Sequence, residues 1–136
     1  MSKRITLEEV YMRFAFLLAE RSTCKRLQVG CVIVSADFEQ VYAIGYNGNA
    51  KGLPNTCDND RAGNCRCIHA KVNALVKCPV KDKNKAMFVT DTPCLMCAKL
   101  IINSGFSCVY YNRVYRDKSG YLLLKDTGIK VKQVLL

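Results

Sequence analysis

The sequence predicts an α/β fold: a three-layer α/β/α sandwich around a five-stranded mixed sheet. Three observations support this prediction. Segments with helical and strand periodicity follow one another in the order α-β-β-α-β-α-β-α-β. Half of the 136 residues are hydrophobic, which is enough for one packed core. No repeat or linker interrupts the pattern, so we expect a single domain spanning residues 1–136.

The first half of the chain supplies one helix, a hairpin and a long loop. Residues 6–9 (Thr-Leu-Glu-Glu) match a capping box, and apolar residues then recur at helical spacing to about Arg21. Residues 29–36 and 41–46 are rich in β-branched and aromatic residues and predict a β-hairpin. Residues 47–66 show no periodicity, and a loop of this length in a compact domain is usually functional.

The second half alternates helices and strands, bounded by proline and glycine. Pro79 ends one helix, and Gly105 is expected at the C′ position of another. The predicted segments are a helix at 69–77, a strand at 86–90, a helix from the Cys94 region to Ser104, a strand at 108–111, a helical turn at 121–125 and a strand at 129–135.

Composition restricts the class of protein and of partner. The formal net charge is +10 and the isoelectric point is near 9.3, which favours an anionic partner or substrate such as a nucleic acid, a nucleotide or another phosphate.

No run approaches the roughly 18 apolar residues of a membrane-spanning helix, and the N-terminus lacks the apolar core of a signal peptide. We therefore expect a cytosolic protein. Its nine cysteines then indicate zinc ligands and buried thiols rather than disulfides.

Cys94 and Cys97 form the most informative pattern in the chain. They lie three residues apart behind Pro93, which can open a helix, so both thiols should lie on one face of its first turn. His69, the only histidine, begins the preceding helix and supplies a third ligand. Three protein ligands leave the fourth zinc position to water, as in catalytic sites, and zinc lowers the pKa of that water to about 7.

The motifs around these ligands carry a family resemblance. Residues 69–74 (His-Ala-Lys-Val-Asn-Ala) with residues 93–97 (Pro-Cys-Leu-Met-Cys) resemble the His-x-Glu and Pro-Cys-x-x-Cys signature of zinc-dependent nucleobase deaminases. Residues 22–30, 45–48 (Gly-Tyr-Asn-Gly), 94–105 and 115–117 (Tyr-Arg-Asp) are similar to deoxycytidylate (dCMP) deaminases, across nearly the whole chain. The resemblance implies hydrolytic deamination of dCMP to dUMP for thymidylate synthesis.

Lys71 departs from this pattern. The resemblance implies a glutamate two residues after the histidine, which moves protons between water, ring and leaving amine; such general acid–base steps are worth roughly 10²- to 10⁴-fold. A lysine ammonium donates hydrogen bonds but has no acceptor lone pair. Three interpretations remain open: an inactivating substitution in an otherwise intact deaminase, a natural non-catalytic nucleotide-binding subunit, or a rearranged site that uses another carboxylate. We expect little or no deaminase activity.

Several residues are candidates for contacts with the substrate, one of them through the resemblance. Asn47 corresponds to the asparagine that binds the deoxyribose hydroxyl, although a turn residue in the left-handed region is the alternative. Ala70 is placed among the substrate-binding residues, and Tyr115, with Tyr110 or Tyr111, is a candidate to stack on the base, although strand tyrosines often pack in cores. Arg26, with Lys25, is a candidate for the substrate phosphate, with an ordinary exposed basic pair as the alternative.

Four further cysteines suggest a second metal. Because some members of the family hold an additional structural zinc, Cys24, Cys57, Cys65 and Cys67 are candidate ligands. The alternative is that they pack, and that hydrogen bonds alone order the loop. The other three cysteines are better explained as buried apolar thiols: Cys31, Cys78 and Cys108.

The resemblance further implies a homohexamer activated by dCTP and inhibited by dTTP. The predicted effector contacts lie on the long loop, with Mg²⁺ accompanying the triphosphate: Asn49, Lys51, Asp58 and Arg61. Solvent-facing loop charges are the alternative explanation of these residues.

Two other classes of protein share parts of the pattern. Nucleic-acid deaminases have the same zinc signature, but the lysines and arginines here are scattered rather than clustered, which makes a nucleic-acid partner less expected. A non-enzymatic zinc module normally closes its shell with four protein ligands, whereas only three residues here match the catalytic set.

Overall fold

The computed structural model describes residues 4–24, 27–54, 67–82 and 84–136. In chain order its elements are α1 (Leu7–Ala19), β1 (Gly30–Ser35), β2 (Val41–Tyr46), α2 (Ala70–Lys77), β3 (Lys85–Asp91), α3 (Leu95–Ser104), β4 (Cys108–Arg113), α4 (Ser119–Asp126) and β5 (Lys130–Gln133). This order is the predicted one. No helix in the described ranges is both long and apolar enough to cross a lipid bilayer.

The five strands form one mixed sheet in the order β2-β1-β3-β4-β5. β1 runs antiparallel to both β2 and β3, whereas β3, β4 and β5 are parallel. Helix α1 packs on one face, and α2, α3 and α4 lie on the other. The predicted three-layer sandwich is therefore confirmed.

Two hydrophobic cores fill the spaces between the sheet and the helices. Because successive side chains of a strand point to opposite faces, β1 and β3 contribute to both cores and are buried along their whole length. The α1 side receives Val32, Val34 and Phe88, and the other side receives Cys31, Ile33, Met87 and Val89.

Helix boundaries follow capping chemistry. The Thr6 hydroxyl accepts a hydrogen bond from the Glu9 backbone N–H at 3.1 Å, as the capping box predicts. Gly105 takes a positive φ of 78° at the end of α3, a conformation that glycine adopts without steric cost.

Lys85 is a buried lysine that fixes the end of α3. It lies just before the predicted strand at 86–90, but in the structure it is the first residue of β3 and is 1% exposed. Its Nζ donates hydrogen bonds to the carbonyl oxygens of Asp82 at 2.6 Å, Ser104 at 2.6 Å and Gly105 at 2.5 Å. A cation bound to the last carbonyls of a helix also interacts favourably with the helix dipole.

Two glycines allow helices to lie directly against the sheet. A Cβ atom at Gly30 would overlap the backbone carbonyl of Ala15 in α1, and one at Gly45 would overlap the backbone of Ala70 in α2. The second contact brings the N-terminus of α2 onto the end of β2. Because glycine has no side chain at these two positions, α1 and α2 can lie close to the sheet.

Replacing Gly30 with alanine should lower the free energy of unfolding by about 2 kcal/mol or more, because the new methyl group overpacks against the α1 backbone. Denaturant unfolding followed by circular dichroism measures this change. Gly48→Ala is the matched control, since its Cβ would lie 3.6 Å from Thr23 Oγ1, an ordinary contact. Equal stability of the two variants would contradict the close packing of α1 on β1.

Candidate active site

The candidate site lies at the edge of the sheet where β3 and β4 end. Because β1 is antiparallel to β3, its first residues lie at the same edge, and so does the end of β2. The N-termini of α2 and α3 also meet here. A cavity of about 500 Å³ opens at this edge and is lined by residues at the ends of these elements and in the adjoining loops: Cys24, Leu27, Val29, Asn47, Cys67, His69, Ala70, Lys71, Asp91, Thr92, Cys94, Val114, Tyr115 and Arg116.

His69, Cys94 and Cys97 form a compact set of metal-ligand atoms. His69 Nδ1 lies 3.2 Å from Cys97 Sγ and 3.6 Å from Cys94 Sγ, and all three ligand atoms lie within 4.8 Å of one another. Tetrahedral zinc with Zn–S bonds of about 2.3 Å and Zn–N bonds of about 2.0–2.1 Å separates its ligands by about 3.5–3.8 Å. The donor set and its spacing therefore fit zinc. A search of the described histidine, cysteine, aspartate and glutamate side chains for clusters that could hold a metal ion finds these three residues.

Helix capping places these ligands. His69 is the N-cap residue of α2, with an extended backbone, and Cys94 is the N-cap residue of α3. Cys97 lies in the first turn of α3, and its backbone N–H donates to Cys94 Sγ at 3.5 Å. The sequence prediction put both thiols in the first turn, whereas Cys94 caps it. Free N–H groups and the positive end of each helix dipole favour thiolates at this point.

The two thiols differ in acidity. The Cys97 thiol donates a hydrogen bond to Cys94, and His69 and the Cys97 N–H add to it, which lowers the pKa of Cys94 to about 3. The same hydrogen bond, with burial, raises the pKa of Cys97 above its ordinary value. Behind them, burial raises the pKa of the Cys31 thiol to about 12. Of these three thiols, Cys94 is therefore the one whose pKa favours the thiolate.

Lys71 is inside the cavity. It lies in the first turn of α2, is 5% exposed, and lines the same cavity as His69 and Cys94. Its positive charge acts to lower the pKa of Cys97, although the hydrogen bond and burial outweigh it there. Within the part of the chain that the structure describes, no group accepts a hydrogen bond from Lys71 and no carboxylate forms an ion pair with it.

Asn47 joins the end of β2 to the start of β1. It is 8% exposed; its Oδ1 accepts from the Val29 N–H at 2.9 Å and its Nδ2 donates to the Leu27 carbonyl at 2.7 Å. One N–H and one lone pair of the amide remain for a ligand. Asn47 does not have a positive φ, since Phe38 is the one described non-glycine residue that does. The alternative of a left-handed turn residue is therefore wrong. Ala70 lines the cavity with no exposed surface.

The three candidate tyrosines separate. Tyr115 is half-buried and lines the cavity, and its backbone N–H donates to Thr92 Oγ1 at 2.7 Å. Tyr110 instead stacks on Phe88 in the core under α1, with ring centroids 4.5 Å apart. Tyr111 packs against another ring in the opposite core. The core explanation therefore applies to Tyr110 and Tyr111.

Sequence reasoning missed Asp91, Thr92 and Arg116 as cavity residues. Asp91 is 5% exposed and ends β3, where its Oδ1 accepts from the Thr90 hydroxyl at 2.8 Å and pairs with Arg113 at 2.8 Å. It is the carboxylate among the described lining residues, but both interactions hold it in place. Its position at the C-terminal end of a strand, directly before the cysteine motif, was the available signal.

The remaining cysteines divide by position. The structure buries Cys31, Cys78 and Cys108, as predicted. Cys24 is buried and Cys67 is half-buried, and both line the cavity. Their proposed partners in a second zinc site, Cys57 and Cys65, lie outside the described residues.

The loop residues expected to bind an effector are only partly described. Asn49 shapes a local turn: its Oδ1 accepts from the Ala50 N–H at 2.9 Å and its Nδ2 donates to the Pro54 carbonyl at 3.1 Å. Lys51 is exposed in that turn. The other effector and phosphate candidates lie outside the described residues: Lys25, Arg26, Asp58 and Arg61.

Comparison with known proteins finds similarity to deaminases. Residues 5–113 match the model of the cytidine and deoxycytidylate deaminase zinc-binding region. Deoxycytidylate deaminase from Saccharomyces cerevisiae is 35% identical over 144 residues, covering 96% of this chain and 45% of the yeast protein. The chain thus spans less than half of that relative. ComE operon protein 2 from Bacillus subtilis is 36% identical over 144 residues, covering 98% of this chain and 74% of the relative.

A solved structure of a similar protein has the same fold. The dCMP deaminase from cyanophage S-TIM5, crystallised in complex with dCMP and dUMP, superposes with a TM-score of 0.87 at 33% sequence identity. The match covers 98% of this chain and all of the cyanophage chain.

In the zinc-free protein, iodoacetamide should alkylate Cys94 at pH 5–6, where an ordinary cysteine is protonated. The lowered pKa keeps Cys94 ionised as the pH falls towards about 3, while the raised pKa of Cys31 keeps that thiol unreactive. Peptide mass spectrometry across a pH series measures the labelling of each thiol. Added zinc should protect Cys94, and alkylation that begins only near pH 8–9 would contradict the assigned hydrogen bonds.

Proposed function

This chain belongs to the family of cytidine and deoxycytidylate deaminases, and from that premise we propose that its cavity binds dCMP while Lys71 leaves it little or no deaminase activity. One observation carries the proposal: His69 and Cys94, two members of the candidate zinc-ligand set with Cys97, line the same cavity as the buried Lys71. The framework for metal and substrate is thus present beside a group unsuited to proton transfer.

Zinc is the metal that these donors would hold. His69 Nδ1 and the thiolates of Cys94 and Cys97 provide nitrogen and sulfur donors at tetrahedral spacing. When bound in such a site, zinc supplies a water-derived nucleophile at neutral pH for attack at C4 of cytosine. The helix N-termini at His69 and Cys94 stabilise the negative charge of the thiolates.

The substrate assignments rest on the cavity lining. Asn47 would bind the deoxyribose hydroxyl with its unused amide N–H or lone pair, Ala70 would form the wall beside the base, and Tyr115 would stack on the ring. A cavity of about 500 Å³ lies within the usual range for small-molecule sites, about 300–1,000 Å³. The relative from cyanophage S-TIM5 was crystallised with dCMP and dUMP.

Lys71 accounts for the loss of turnover. In this position the reaction needs a group that takes a proton from water and delivers it to the ring nitrogen and the leaving ammonia. The Lys71 ammonium can donate but cannot accept. Asp91, the carboxylate among the described lining residues, is held by Arg113 and Thr90. The chain therefore acts as a nucleotide-binding protein, whether Lys71 is a substitution in an active deaminase or a native feature of a non-catalytic subunit.

The family resemblance extends the proposal to assembly and regulation. We expect a homohexamer in the cytosol, activated by dCTP and inhibited by dTTP with Mg²⁺, and contacts to the effector from Asn49 and Lys51. A structural zinc at Cys24, Cys67 and two loop cysteines remains part of this proposal.

Lys71→Glu should raise the rate of dUMP formation from dCMP by roughly 10²- to 10⁴-fold, because a carboxylate at this position restores general acid–base catalysis. The assay is chromatographic separation of dCMP and dUMP, with the zinc content measured in parallel. Deamination by the parent chain at the rate of the Lys71→Glu variant would refute the assigned role of Lys71.

Lys77→Glu is the matched control, because it makes the same change of charge at the exposed end of the same helix. It should leave deamination at the level of the parent chain. A gain from Lys77→Glu equal to that from Lys71→Glu would mean that net charge, rather than the placement of a proton carrier, limits the rate.

Lys71→Gln separates charge from proton transfer. Removing a buried positive charge beside the thiolates should tighten zinc binding by about tenfold or more, because the cation repels Zn²⁺ in a partly desolvated site. Competition with a chromophoric chelator measures the affinity. The variant should stay inactive, since glutamine cannot accept a proton. Unchanged zinc affinity would place the Lys71 charge too far from the metal to matter.

A further inference from the structure

Asp91 has a carboxylate oxygen that none of the described residues uses. The residue ends β3, is 5% exposed and lines the cavity. Its interactions with the Thr90 hydroxyl and with Arg113 Nη2, each at 2.8 Å, are both made through Oδ1. Among the described residues, no group donates a hydrogen bond to Oδ2. A carboxylate accepts at both oxygens, so Oδ2 remains available to a ligand.

This oxygen keeps contact with the cavity. Over the described ranges, the fully buried polar side-chain atom that lacks a hydrogen-bond partner is Thr23 Oγ1. Oδ2 of Asp91 lacks a described donor as well, so it is not sealed from the cavity that its side chain lines. A carboxylate oxygen held in a partly desolvated wall without a donor is unfavourable. A ligand that supplies a donor there therefore gains affinity.

The position of the carboxylate is fixed from two sides. Thr90 Oγ1 accepts from the Gly30 N–H at 3.3 Å and donates to Asp91, which ties the carboxylate to the start of β1. Arg113 holds it from the adjacent end of β4. The guanidinium carbon of Arg113 lies 5.1 Å from the centroid of the Phe16 ring in α1, which places that side chain in turn. A group ordered in advance loses less conformational entropy when it binds a ligand.

Asn47 lies on the other side of β1. Its Oδ1 accepts from the Val29 N–H at 2.9 Å, and the next residue, Gly30, donates to Thr90 beside Asp91. The amide and the carboxylate thus flank the start of β1 and line one cavity. The amide offers one N–H and one lone pair, and the carboxylate oxygen accepts only. This pair of groups suits a ligand with two neighbouring hydroxyls.

A ribose carries two such hydroxyls, whereas a 2′-deoxyribose has lost one of them. With Asn47 on the hydroxyl that both sugars share, the 2′-hydroxyl of ribose is the donor that Oδ2 of Asp91 lacks. Carboxylates bind ribose 2′-hydroxyls in the same way in dinucleotide-binding folds. The amine of cytosine is another donor of the ligand, but the proposed function directs it to the metal-ligand set. The sugar is therefore the part of the ligand that Asp91 can read.

We propose that Asp91 Oδ2 accepts a hydrogen bond from a ribose 2′-hydroxyl and makes the cavity prefer cytidine 5′-monophosphate (CMP) to dCMP. The inference rests on the proposed function, because it takes a cytosine nucleotide to lie in the cavity with its sugar at Asn47. Asp91 acts here as a specificity-determining residue and carries no proton.

Isothermal titration of the zinc-loaded chain with CMP and with dCMP tests the inference. The parent chain should bind CMP more tightly than dCMP by on the order of 10- to 100-fold, the usual effect of a hydrogen bond to a charged group. Asp91→Asn, which keeps the size of the side chain, and Asp91→Ala should bring the two affinities to within about threefold of each other. Circular dichroism checks that each variant is folded.

Asp126→Asn is the matched control. It makes the same chemical change at an exposed residue at the end of α4 that does not line the cavity, and it should keep the preference of the parent chain. The comparison of the two ligands in the parent chain needs no substitution, so it decides the inference even where a change at Asp91 prevents folding.

The outcomes separate the two claims. If the parent chain binds dCMP as tightly as CMP, or if the preference for CMP survives in both Asp91 variants, the inference is wrong and the proposed function stands. Loss of the preference in Asp126→Asn would also overturn it, since general charge would then explain the effect. Failure of both the parent chain and the Lys71→Glu variant to bind either nucleotide would overturn the proposed function and the inference together.

Discussion

The N-termini of α2 and α3 meet at one edge of the sheet, and the rest of the site depends on this contact between backbones. A Cβ atom at Gly45 would overlap the start of α2, and one at Gly120 would overlap the carbonyls of Pro93 and Cys94. Because glycine has no side chain, α2 can pack against the end of β2 at Gly45, and Gly120 of α4 can pack against the residues that precede α3. These two close contacts help to hold His69 and Cys94 together. The 3.2–3.6 Å spacing of the ligand atoms is a consequence of backbone packing.

The binding framework and the proton carrier are physically separable in this protein. Capping residues and strand ends build the ligand set and the cavity, whereas proton transfer would depend on one side chain in the first turn of α2. Lysine has good helix propensity and a long apolar stem, so Lys71 can occupy that turn while 5% exposed without disturbing the helix. Lys71 instead impairs proton transfer, and it adds a positive charge beside the metal-ligand set.

The segments that follow β3 and β4 give the cavity its polarity. Since the two strands are parallel, their C-terminal ends lie side by side, which brings Asp91 to Arg113 and Thr92 to Tyr115. The first pair neutralises a carboxylate in the wall. The second fixes the backbone of the segment that contains Tyr115 and Arg116, and both residues line the cavity.

The sequence alone determined the order of the elements and the mixed α/β fold and predicted the candidate zinc-ligand set, because periodicity, capping and ligand spacing are local properties of the chain. The departure at Lys71 came from the resemblance to the deaminase signature. Only the tertiary structure showed that Cys94 caps α3, that Tyr110 and Tyr111 belong to cores, and that Asp91 and Arg116 line the cavity. Those facts depend on which strand ends are adjacent and on which face each side chain points to, and residues far apart in sequence decide both.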